Sequence, residues 1–312
     1  MGDHSKIEWT DATWNPVRGC SLVSAGCTNC YAMRDAHRFA GPGKPYDGLT
    51  KLTEHGPVWT GKVRLVPELL DQPLRWKKPR RIFVNSMSDL FHEKVPNSFI
   101  EDVWAVMLAA RQHTFQVLTK RPDRMYRFLT GQDGDPWDRI GSLVVDHSPD
   151  AANLAVNLHS VGCPHATNGH IWLGVSVEDQ KTADERIPIL LQTPAAVRWV
   201  SAEPLLGPVD LDTRKMFPTS EAFAPPPQLD WCVVGGESGP GARPFDIGWA
   251  RSIVAQCRAA GVPVFVKQLG SKPTTDHRTR PNGECHTVTL LKDRKGGDWS
   301  EWPEDLRVRS YP

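Results

Sequence analysis

The chain has 312 residues, 39% of them hydrophobic and 23% charged, with a net charge of +1. That balance excludes a wholly disordered chain and a chain-wide polycation, and it leaves room for a sizeable core. The longest strongly apolar stretch, Val103 to Ala110, is less than half of what a membrane helix needs, and the N-terminal segment lacks the apolar run of a signal peptide, so a cytoplasmic protein is expected.

The pattern predicts a short first strand around Thr13–Val17, confined to an edge or end by Pro16. A helix is expected from Tyr31 to about Phe39. Arg81–Asn85 reads as a buried strand. Ser98-Phe-Ile-Glu101 has the form of a capping box and opens a helix carrying Val103, Trp104, Met107 and Leu108. Thr114–Thr119 is the next strand and Arg121–Leu129 the next helix. Gly131–Gly169, rich in Gly, Asp and His and weakly periodic, reads as an insertion. Strands at Ile171–Val177, Val197–Ser201, Trp231–Val234 and Val262–Val266 then alternate with helices at Asp179–Gln192 and Asp246–Ala260. Asp246 is the expected N-cap of the last helix, and Gly261 stands just past its end. Phe217–Gln228, with three consecutive prolines, reads as a stiff connector.

Alternating strands and helices imply parallel strands with right-handed crossovers. Six or seven such units fit an α/β partial TIM barrel, with an open doubly wound sheet as the alternative. The expected organisation is a barrel over 1–270, with the insertion at about 131–169, and a polar extension over 271–312 that packs on it.

Seven cysteines in a long chain argue against a disulfide framework. Cys20, Cys27 and Cys30 form a C-x6-C-x2-C run on a Gly-containing loop, which suits one metal or three corners of an iron–sulfur cluster. Zinc would need a fourth protein ligand, for which His37 is the candidate. His147, His159, Cys163 and His165 match no strong ligand spacing and read as polar loop residues.

Parallel α/β sheets place their sites at the carboxyl ends of strands. Those ends carry Ser86-Met87-Ser88-Asp89, Lys120-Arg121, Ser176-Val177-Glu178, Glu203, Gly235-Gly236-Glu237 and Lys267. Glu203, Glu237, Lys120 and Lys267 are candidates for orienting cofactor or substrate. The bland alternatives are a tight turn at Gly235-Gly236-Glu237, a buried strand-end carboxylate at Glu203 and a solvated helix start at Lys120 and Arg121. Lys62, Arg64, Arg75, Lys77, Lys78, Arg80 and Arg81 outnumber Glu68 and Asp71 in a locally basic segment that suits phosphates or is simply a solvated loop.

Trp14-Asn-Pro-Val-Arg-Gly-Cys20, Cys27-Thr-Asn-Cys30-Tyr31, Leu118-Thr-Lys-Arg-Pro122, Leu173-Gly-Val-Ser-Val-Glu178, Ser201-Ala-Glu-Pro-Leu205 and Val234-Gly-Gly-Glu-Ser-Gly239 together resemble phage-encoded proteins related to the radical S-adenosylmethionine enzymes. The resemblance implies a (βα)6 partial barrel and a [4Fe–4S] cluster on Cys20, Cys27 and Cys30. It further implies S-adenosylmethionine as the source of a 5′-deoxyadenosyl radical, with an electron donor such as flavodoxin or ferredoxin. Ser86, Ser88 and Asp89 hold the place of the superfamily's amine-binding element, and Ser176 and Glu178 that of its ribose contact. The first cysteine spacing is longer than usual, and Gly-Gly-Glu follows the sixth strand rather than the second. Nucleic acid is the expected substrate, through base modification or repair. The alternative is a non-enzymatic nucleic-acid-binding protein with a structural Cys3His zinc site.

Overall fold

The computed structural model describes residues 5–148, 169–216, 228–274 and 291–312. They fall into two compact units. One comprises Met1–Val23, Cys30–Gly174 and Gln192–Val197, and the other Ser24–Asn29, Val175–Leu191 and Arg198–Pro312. Among the described residues no helix is long and apolar enough to cross a membrane.

In the first unit, β1 (Ala12–Trp14) is followed by β2 (Val17–Arg18) and α1 (Tyr31–Arg38). The single strand expected at 13–17 is broken at Asn15-Pro16, because proline offers no N–H to a ladder. β1 stays in the main sheet, whereas β2 turns away to pair antiparallel with β5 (Arg64–Leu65). Between them a hairpin, β3 (Thr50–Thr53) and β4 (Gly56–Trp59), packs on α1. After α2 (Gln72–Arg75) come β6 (Arg81–Val84), α3 (Asn97–Ala109), β7 (Thr114–Thr119), α4 (Pro122–Leu129) and α5 (Trp137–His147). β7 pairs in parallel with β6, and its Phe115, Gln116 and Val117 are fully buried, which is why the strand reads as one continuous run rather than as an alternation.

α3 is buried on nearly every face, with Ile100, Val103, Val106, Met107 and Leu108 in the core, each worth about 1.5–3 kcal/mol on burial. Its start differs from expectation. Pro96 is the N-cap, no side chain caps the helix, and Ser98 already lies inside the first turn. α5 corrects the reading of the insertion as irregular over 137–147: Trp137, Ile140 and Val144 form a short buried stripe, and α5 packs on α3. His159, Cys163 and His165 lie outside the described residues, as does most of the expected connector at 217–228.

β8 (Ile171–Ser176) begins in the first unit and ends in the second. The second unit continues through α6 (Gln180–Gln192), β9 (Val197–Ala202), α7 (Thr213–Met216), β10 (Trp231–Gly235), β11 (Phe245–Asp246), α8 (Ile247–Ala260), β12 (Val264–Gln268) and β13 (Pro273–Thr274). β10 pairs in parallel with β9 and with β12, bringing the rings of Trp199 and Trp231 to 5.2 Å. Asp246 caps α8 by accepting from Gly248 N at 2.7 Å, and Gly261 closes the helix at φ 69°, as expected. Residues 291–312 cover the edge of β12: Val266 N donates to Val308 O and Ser310 N to Val264 O. Arg309 locks this tail, its guanidinium 5.1–5.5 Å from the rings of Phe265, Trp299 and Trp302.

The strand order is β1-β6-β7-β8-β9-β10-β12, which follows the chain without reversal. A doubly wound sheet reverses at a switch point. This mixed α/β chain therefore has the consecutive order of a partial TIM barrel.

Candidate functional site: the cysteine segment and the strand-end charges

In the first unit the carboxyl ends of β1, β6 and β7 meet at Cys20. Gly19 bridges in parallel to Ser88, so the residues after β1 lie beside those after β6. From the end of β7, Arg121 places Nη1 3.9 Å from Cys20 Sγ and 2.9 Å from Asp89 Oδ2. The same guanidinium donates to Ser21 Oγ at 2.7 Å and to Glu93 Oε2 at 3.2 Å. Burial and the nearby Asp89 carboxylate push the Cys20 thiol up to about 12, against the opposing pull of Arg121. Cys20 and Cys30 both pack against the apolar cluster of Ala32, Met33, Leu49, Trp59 and Met87. His92 is fully buried, with Nε2 2.9 Å from Ser21 Oγ. Its Nδ1 accepts from Lys94 N, so the neutral ring carries its proton on Nε2 and donates it to Ser21.

Asp89 accepts from Phe91 N, Thr119 Oγ1, Lys120 N and Arg121 Nη1, which uses the capacity of a carboxylate. Ser86 Oγ donates to Asn15 Oδ1 and Ser88 Oγ to Val17 O, leaving both hydroxyls with acceptor lone pairs. Tyr31 OH donates to Ser86 O. His37 Nδ1 stands 3.1 Å from Thr50 Oγ1 on the hairpin.

In the second unit the segment 24–29, which carries Cys27, is held by two buried carboxylates. Glu178 accepts from Ser24 Oγ at 3.0 Å and pairs with Arg186 at 3.2 Å, and these two charged side chains are 1% and 6% exposed. Arg186 also donates to Ser176 O. Glu237 accepts from Asn29 Nδ2 at 2.9 Å and pairs with Arg243 at 2.7 Å, while Arg243 Nη1 donates to Ala25 O. Burial alone would raise the Glu237 carboxyl, but hydrogen bonds from Arg243 and Asn29 bring it below its ordinary value.

Glu203 pairs with Lys267 at 3.0 Å and accepts from Ser201 Oγ. A Cβ at Gly235 would lie 2.6 Å from Glu203 Oε1, and one at Gly236 2.5 Å from Leu269 O. Close approach within the fold therefore explains both glycines. Arg186, Arg243, Asn29, His92 and Glu93 are partners that the sequence did not single out. Arg186 alone left a local trace, eight residues after Glu178 on the helix that follows it.

The basic segment is less basic than its count. Arg81 pairs with Asp11, Arg75 with Asp71, and Arg64 donates to the carbonyls of Pro45 and Asp47. Lys77 and Lys78 are exposed, and Arg80 stacks on Trp76 at 4.9 Å. These residues precede β6, whereas Ser86–Asp89 follow it, so a strand of about 13 Å separates them from Cys20.

Among the described residues no three His, Cys, Asp or Glu side chains converge as a metal-holding group. In ligand type the three cysteines suit a cluster: none is in a disulfide, thiolates are the ligands that iron–sulfur clusters use, and Arg121 supplies a cation beside Cys20.

These features define a parallel α/β protein whose first strand leads into a three-cysteine segment. The chain belongs to the family described as "protein of unknown function (DUF5131)", which it matches over residues 4–301. No curated protein matches it. It is similar to a solved structure of a spore photoproduct lyase mutant, at 12% identity and a TM-score of 0.42, over 98% of this chain and 75% of that one.

Proposed function

We propose that the protein is a radical S-adenosylmethionine enzyme in which Cys20, Cys27 and Cys30 hold a [4Fe–4S] cluster. The observation that carries this reading is a run of three cysteines outside any disulfide, the first of which, Cys20, stands where the carboxyl ends of β1, β6 and β7 converge. The motif resemblance to phage-encoded radical-S-adenosylmethionine proteins supports it. Held by Cys20, Cys27 and Cys30, such a cluster would supply the one-electron reduction of S-adenosylmethionine from which radical chemistry on a substrate starts. The chain's own part is to bind and orient. Ser86 and Ser88 offer lone pairs to an ammonium, and Ser176 lies at the corresponding end of β8. Asp89 and Glu178 act one step back, holding Arg121 and the segment 24–29. Glu203, Glu237, Lys120 and Lys267 remain the candidates for orienting cofactor or substrate, with the chain's barrel over 1–270 and its extension over 271–312. Nucleic acid is the proposed substrate class, with a flavodoxin or ferredoxin as electron donor.

Protein purified anaerobically is expected to carry about four irons with acid-labile sulfide per chain. Cys20→Ala, Cys27→Ala and Cys30→Ala should each abolish that content, while Cys257→Ala, whose thiol is buried in α8, should keep it. Full iron retention in Cys20→Ala overturns the assignment. Stoichiometric zinc without iron would establish the Cys3His reading instead. A loaded protein that does not bind S-adenosylmethionine would have a structural or electron-transferring cluster.

A further inference from the structure

We infer that Arg121 is a positioning residue that sets the reduction potential of the cluster through an N–H···S bond to Cys20; the inference rests on the cluster reading above. The geometry is specific. Nη1 stands 3.9 Å from Sγ, within reach of a sulfur acceptor, and the side chain is 13% exposed. Its four other N–H groups go to Asp89 Oδ2, Ser21 Oγ, Ser21 O and Glu93 Oε2, so the remaining donor on Nη1 is the one that faces the sulfur. Three elements fix it: the segment after β1 supplies Ser21, the segment after β6 supplies Asp89 and Glu93, and Arg121 itself stands between β7 and α4.

Hydrogen bonds to cluster sulfurs and the local net charge are among the main determinants of an iron–sulfur potential. Reduction adds an electron, so a cation held against a ligating sulfur favours the reduced form. Little water screens this one. Removing it acts twice in the same direction, because the donor is lost and the Asp89 carboxylate is left facing Cys20 without its counter-charge. Lysine would keep the charge but lose the planar fork.

The test is a mediated dithionite titration of anaerobically reconstituted protein, with the reduced cluster counted by electron paramagnetic resonance. The iron content of the unaltered protein comes first: if it loads no iron, the cluster reading fails and the role of Arg121 fails with it. Given a loaded cluster, Arg121→Gln should lower the ratio of reduced to oxidised cluster at the original midpoint by about tenfold, which for one electron is about 59 mV. Arg121→Lys should fall between the two. An unchanged midpoint in Arg121→Gln overturns the role of Arg121 while leaving the cluster assignment intact. Should the glutamine variant fail to fold or to load, Arg121→Lys decides: a lowered midpoint supports the role and an unchanged one overturns it.

Discussion

Gly26 lies so close to Glu178 that a Cβ built on it would stand 2.4 Å from the carboxylate's Cγ. The residue before Cys27 is thus seated directly on a buried acid that also accepts from Ser24. Gly26→Ala should force one of the two to move. The expected cost is about 1–3 kcal/mol, typical of overpacking, with a parallel loss of bound iron. Urea unfolding and iron analysis on the same preparation would check both. An alanine variant with unchanged stability would show that the segment yields freely.

Glu178 and Arg186 are a buried pair, and removing one partner strands the other. Glu178→Ala is expected to destabilise the fold by about 3–5 kcal/mol, rather than to weaken cofactor binding selectively. The double variant Glu178→Leu with Arg186→Leu should recover much of that loss, because neither charge is then left unpaired. Equal destabilisation in the single and double variants would argue against the pair as the cause.

His113 and His170 make the fold sensitive to mild acid. Burial lowers both imidazoles below 6.5, and the neighbouring Arg80 and Arg111 add to the effect against hydrogen bonds to the carbonyls of Pro73 and Met107. In the unfolded chain they take up protons near 6.5, whereas the folded chain takes them up only at lower pH. The unfolded state therefore binds more protons in that interval, and stability falls as the pH drops through it. Urea midpoints should be lower at about pH 5.5 than at about pH 7.5, and His113→Gln with His170→Gln should flatten the difference.

Lys77, Lys78 and the stacked Arg80 are the cations of the basic segment best placed to meet a phosphate backbone. If they do, binding to DNA or RNA should weaken steeply with salt, and Lys77→Gln with Lys78→Gln should reduce the logarithmic slope by about 0.9 per lost phosphate contact. Iron content should not change, because these residues precede β6 and Cys20 lies beyond its other end. Absence of nucleic-acid binding at low salt would remove the proposed substrate class and leave the cluster proposal standing.

Much of the fold was legible in the chain itself. β7 occupies Thr114–Thr119 as its run of β-branched and aromatic residues indicates, and α8 begins and ends at Asp246 and Gly261 because capping is a local matter of one side-chain oxygen and one left-handed residue. The hairpin β3–β4 left no such mark: its residues are mostly half-exposed, so neither strand alternates. Ser98 had the form of a cap, but the backbone of Pro96 took that place.

The candidate site divides in the same way. Three cysteines within eleven residues announce themselves, since ligand type and spacing are properties of the sequence. Which charge answers which is not. Asn29 meets Glu237 across 208 residues, Arg121 reaches Cys20 across 101, and Lys267 pairs with Glu203 from another strand. A strand-end carboxylate looks the same in sequence whether it faces a ligand or a buried arginine. Residue chemistry and local periodicity by themselves determined the seven strands of the main sheet, most helices and the thiol segment. Only tertiary structure could decide that Asp89 faces Arg121 and that Glu237 faces Asn29, because pairing between distant residues depends on which strand ends the sheet order brings together.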